Sequence, residues 1–66
     1  MNQTLIANRL KACRGNMTQK EVADAVGVTA MAISQYEKGE RIPRDDVKVK
    51  IARLFNKTVD EIFFAE

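Results

Sequence analysis

The stretch MTQKEVADAVGVTAMAISQYEKG, residues 17–39, holds two short helical patterns separated by only three residues, Gly27, Val28 and Thr29. Helices this brief are marginal by themselves, because nucleation costs more than a few turns of hydrogen bonding return. The two must share a core, and so tight a joint makes them cross at an angle. Apolar residues stand where such a crossing needs them: Val22, Ala23 and Val26 in the first helix, then Val28, Ile33 and Tyr36. Ala23 falls where the helices cross, and a larger side chain would push them apart. Gly27 admits the positive φ that turns the chain. These positions together describe a helix-turn-helix over about residues 18–39.

Local signals set the ends of both helices. Thr18-Gln-Lys-Glu21 is a capping box, in which Thr18 caps and Glu21 reaches back to it. Met17 lies just outside the cap and can staple against Val22. Gly27 ends the first helix, Thr29 is the N-cap of the second, and Gly39 ends it.

The same helical period runs through the rest of the chain, and no segment alternates as a strand would. A first helix is expected over about residues 4–14, with Ile6, Leu10 and Cys13 on one stripe and Gly15-Asn16 as its stop. A loop through Pro43 leads to Asp45 and Asp46, acidic as a helix N-terminus favours. The fourth helix runs to Phe55, with Val47, Ile51, Leu54 and Phe55 inward and Asn56 closing it. Thr58-Val-Asp-Glu61 is a second capping box, opening a short last helix that carries Val59, Ile62 and Phe63. The expectation is one all-α domain of five helices across residues 1–66.

A chain of 66 residues buries a small core and needs a staple or good packing. One cysteine, Cys13, and no histidine exclude an internal disulfide and a Cys/His zinc site. Cys13 reads as a small core residue, not a redox sensor. The segment MNQTLIANRLKACRG has no long apolar run, so neither a signal peptide nor a membrane span is expected there, and the chain reads as cytoplasmic. The net charge of +2 says little, but its distribution says more. Residues 1–44 hold seven basic and four acidic side chains, and residues 45–66 hold four and five. A basic front suits a module that offers one face to a polyanion.

The stretch MTQKEVADAVGVTAMAISQYEKGERIP resembles the helix-turn-helix of the Cro/C1-type (XRE) family of bacterial and phage repressors. IARLFNKTVDEIF is similar to that family's closing segment, and IANRLKACR to its first helix, so the resemblance covers nearly the whole chain. It implies a five-helix, lambda-repressor-like fold that binds double-stranded operator DNA, usually as a homodimer, with the third helix in the major groove. The chain departs from the family in its shorter Arg14–Met17 connection. It departs again at Asp45 and Lys48, which are polar where the family more often has leucine.

The resemblance turns the uncharged first turn of the third helix into a reading edge. Ala30 and Met31 would lie near base edges, where apolar side chains can touch thymine methyls. Thr29, Ser34 and Gln35 can exchange hydrogen bonds with bases, and Gln35 suits the N6/N7 edge of adenine. Thr29 can equally serve as a cap alone. Gln19 matches the family position that holds a backbone phosphate. Thr18, Lys38, Arg41 and Arg44 are further phosphate candidates, and Arg14 with Glu37 matches a family ion pair. Phe64 cannot face the same way as Phe63, and a large exposed ring suggests a contact surface. Phe64, with Leu54 or Val59, is therefore the expected dimer interface.

An enzyme is not expected, since there is no histidine, no nucleophile paired with a base and no phosphate-cradling glycine loop. No cofactor, metal, membrane or small-molecule ligand is implied. An antitoxin or a protein-interaction adaptor on the same fold is the alternative reading.

Overall fold

The computed structural model describes residues 2–65. Four α-helices follow one another: α1 (Gln3–Arg14), α2 (Gln19–Val26), α3 (Ala30–Glu37) and α4 (Asp45–Leu54). A π-helical turn, Asp60–Phe64, comes after them. The architecture is all-α, and no strand occurs among the described residues.

Side-chain caps explain where α1, α2 and α3 begin, whereas α4 starts after Arg44 with no side-chain cap. Asn2 accepts a hydrogen bond from the backbone N–H of Leu5 and starts α1, a cap the sequence reading missed. The Thr18 box is complete: Glu21 N–H donates to Thr18 Oγ1 at 3.0 Å, and Thr18 N–H donates to Glu21 Oε1 at 2.8 Å. Thr29 Oγ1 accepts from Ala32 N–H at 3.1 Å and starts α3. Helix closure follows the left-handed residues. Gly27 (φ 75), Gly39 (φ 73) and Asn56 (φ 56) let Val28, Glu40 and Lys57 N–H groups reach back to Ala23, Gln35 and Ala52 carbonyls.

Gly27 is the joint of the helix-turn-helix, and a Cβ built there meets nothing within 4 Å. A larger residue would therefore suffer from its backbone angles and not from collision. Gly27→Val is expected to destabilise the fold by about 1–2 kcal/mol, read as a lower Tm. An unchanged Tm would contradict this geometry.

The stripes meet in one core. Ile6 and Leu10 from α1, Val22, Ala23 and Val26 from α2, Ile33 and Tyr36 from α3, and Val47 and Ile51 from α4 are buried together. Ile62 and Phe63 of the π turn complete it. Leu54, Phe55, Cys13, Met17 and Val28 pack partly against its edge. Burial pushes the Cys13 thiol above its ordinary pKa.

The last helix differs from the expectation in type. The Thr58 box forms as read, with Glu61 N–H to Thr58 Oγ1 at 3.0 Å and Thr58 N–H to Glu61 Oε1 at 2.9 Å. Its hydrogen bonds with Thr58 hold the Glu61 carboxyl below its usual range. The ladder beyond it is wider than α, because Ala65 N–H donates to the Asp60 carbonyl at 2.7 Å, five residues back. Ile62 and Phe63 are both buried on it.

The two polar departures on α4 have separate outcomes. The Asp45 side chain is fully exposed, whereas Lys48 is buried at 7% exposure. The Lys48 ammonium lies 5.8 Å from the Phe63 ring centroid, 5.3 Å from that of Phe64 and 3.5 Å from an Asp45 carboxylate oxygen. Aromatic faces attract a cation, so Lys48 ties α4 to the π turn where leucine would do so by packing alone. No helix among the described residues is long and apolar enough to cross a membrane.

Candidate nucleic-acid interface

The two faces of α3 have opposite characters. Ala32, Ile33, Tyr36 and Glu37 are buried, which fixes the helix against α1 and α2. Thr29, Ala30 and Met31 are exposed on its leading turn, and Met31 is 71% exposed. Ser34 lies one turn beyond Ala30, and Gln35 one turn beyond Met31; both are half-buried. Ala30, Met31, Ser34 and Gln35 therefore sit on one side of α3, with Ser34 and Gln35 resting partly on the protein and Thr29 exposed as the N-cap at its leading end. Ala32 belongs to the core, in keeping with its reading as packing.

The expected phosphate contacts divide by how firmly they are held. Thr18 is exposed, and its hydroxyl already accepts from Glu21, so the cap is its first duty. Gln19 is half-buried and donates from Nε2 to Glu37 Oε1 at 3.2 Å. Lys38 is exposed at the C-cap of α3. The Arg41 guanidinium carbon lies 5.9 Å from the Tyr36 ring centroid, which anchors an otherwise exposed side chain to the end of α3. Arg44 is exposed and precedes α4 as its N-cap residue. Gln19, Lys38 and Arg41 are thus gathered at the C-terminal turn of α3, while Arg44 belongs to the start of α4.

Behind this surface lies a polar cluster. Arg14 donates from Nε to Glu37 Oε2 at 2.7 Å and from Nη2 to Oε1 at 3.1 Å. Its remaining nitrogen, Nη1, donates to the Met17 carbonyl at 2.8 Å, so the Arg14–Met17 connection is itself held by Arg14. The hydrogen bonds to Glu37 raise the pKa of Arg14 further, leaving it charged at any working pH. The Gln19–Glu37 hydrogen bond was not anticipated. A glutamine opening α2 and a glutamate ending α3 are far apart in sequence, and only the helix crossing brings them together.

The residues expected at a dimer interface lie elsewhere. Phe64 is 52% exposed, and Leu54 and Val59 are half-buried at the core's edge. A cleft of about 380 Å³ runs beside Phe64, lined by Leu5, Ile6, Arg9 and Phe63 among others. It contains none of the residues expected to touch DNA.

Comparison with known proteins gives a consistent picture. The helix-turn-helix family model matches residues 7–62. An uncharacterised HTH-type transcriptional regulator of Archaeoglobus fulgidus is 44% identical over 57 residues, spanning 83% of this chain and 80% of that protein. The cryptic phage CTXphi transcriptional repressor RstR of Vibrio cholerae is 37% identical over 57 residues, 86% of this chain but 49% of that protein. Among solved structures, the P22 c2 repressor in complex with a synthetic operator superposes with a TM-score of 0.89 at 25% identity. That match covers 94% of this chain and 97% of the repressor chain.

Proposed function

The chain belongs to the Cro/C1-type helix-turn-helix family of transcriptional regulators, and from that membership we propose that it is a sequence-specific repressor binding an inverted-repeat operator as a homodimer. The observation that carries the proposal is the division of α3. One face is locked into the core, and the other offers Ala30, Met31, Ser34 and Gln35 with Thr29 at its leading end. An uncharged edge on a rigid helix suits base edges in a major groove, where charge is not needed for recognition. The likeness to a repressor solved on an operator supports the same pose.

In this reading each protomer inserts α3 into a major groove. Ala30 and Met31 meet thymine methyls, Gln35 pairs with adenine, and Thr29 and Ser34 supply further hydrogen bonds. Thr18, Gln19, Lys38, Arg41 and Arg44 hold phosphates and set the register. Two protomers face half-sites roughly 34 Å apart. Phe64, with Leu54 and Val59, forms the symmetric contact between them. The bound dimer represses by occluding polymerase.

Arg44→Ala is expected to weaken binding to all sequences alike and to reduce the salt slope by about one counterion. A loss confined to one base pair would contradict a phosphate role. The dimer is tested by analytical ultracentrifugation across a dilution series. Self-association lost in Phe64→Ala supports the interface, and a monomer well into the high-micromolar range overturns it.

A further inference from the structure

Glu37 is 4% exposed, at the end of α3. Its carboxylate accepts from three donors: Arg14 Nε, Arg14 Nη2 and Gln19 Nε2. Arg14 cancels its charge, so the cluster presents no net negative charge to a neighbouring polyanion. The third bond has a different consequence. A glutamine amide is nearly symmetric in shape, but one edge donates and the other accepts. A carboxylate takes only the donating edge, because two acceptors repel. Glu37 therefore fixes which way the Gln19 amide points. The Gln19 nitrogen carries two N–H groups, and only one is directed to Glu37.

We infer that Glu37 is a positioning residue for DNA binding, locking the Gln19 amide so that its second N–H is aimed at a backbone phosphate oxygen. The inference rests on the proposed DNA-binding role and adds the internal group that prepares one of its contacts. Affinity gained this way comes from an amide that need not be ordered on binding. Because a phosphate carries no sequence information, the effect is the same on every duplex.

A double-mutant cycle tests it, with a mixed-sequence DNA duplex at low salt and fluorescence anisotropy as the readout. One arm is Gln19→Ala. The other is the paired replacement Arg14→Met with Glu37→Met, which leaves net charge unchanged and exchanges a buried ion pair for apolar groups. The paired replacement is expected to weaken binding about fivefold, the worth of one typical hydrogen bond. In the Gln19→Ala background it should cause no further loss. An equal loss in both backgrounds would mean a merely structural role and would overturn the inference. If circular dichroism shows that the paired variant does not fold, the side-chain amide signals of Gln19 decide in the wild-type protein. One N–H protected from exchange and the other shifted by the duplex support the lock. Two N–H groups that exchange equally fast and ignore the duplex overturn it. A wild-type protein that binds no duplex overturns the DNA-binding reading first, and the inference with it.

Discussion

Phe63→Ala is expected to lower stability by about 3–5 kcal/mol, the cost of emptying a fully buried aromatic site. Phe63 is 2% exposed and is the largest of the fully buried side chains. Its loss removes more than area. The ring packs the π turn into the core and also lies 5.8 Å from the buried Lys48 ammonium. Without it, Lys48 keeps only Phe64 and one long contact to Asp45. Small domains hold roughly 5–15 kcal/mol in total, so this single change removes a large share. In a chain of this size Tm should fall by more than about 12 °C. Phe64→Ala is the control, since that ring is half exposed and its removal leaves the core filled. A Phe63→Ala protein melting within a few degrees of the wild type would show that the π turn does not close the core.

The second large effect concerns recognition. Gln35→Ala should relax specificity at one base pair of each half-site, at a cost of about 1–3 kcal/mol against the preferred base. Gln35 is the only expected reader with both a donor and an acceptor in one planar group, which is what the adenine edge requires. Its half-buried position limits its rotamers, so little ordering is needed on binding. Affinities for the selected duplex and its single-base variants, measured at one salt concentration, provide the check. If the substituted protein keeps both affinity and preference, Gln35 does not read a base.

Much of the fold was legible because its signals are local. The boxes at Thr18 and Thr58 and the left-handed closures at Gly27, Gly39 and Asn56 each depend on residues within one turn. The crossing of α2 and α3 was legible because Ala23 and Gly27 stand at fixed offsets from an apolar set. What escaped involves distance along the chain. Lys48 interrupts an apolar stripe, and nothing near it announces the rings of Phe63 and Phe64 that accept its charge. The π geometry of residues 60–64 escaped because the Thr58 box starts a helix of any pitch, and no local signal separates π from α there.

The site divides in the same way. Exposure of Met31 and Ala30 follows from burial of Ile33 and Tyr36 on the opposite face, so periodicity alone reaches it. The Arg14–Glu37 pair came from family resemblance, and the structure supplies the geometry. The link from Glu37 to Gln19 needed coordinates, because amide orientation leaves no trace in composition or spacing.

The proposed function turns on α3 reading DNA as one half of a symmetric pair. Selection of binding sites from a random duplex library, at near-physiological salt, tests that most directly. A palindrome whose half-sites are centred about one helical turn apart is the expected result. Recovery of no sequence above background would contradict it and would turn attention to a protein partner for the same face.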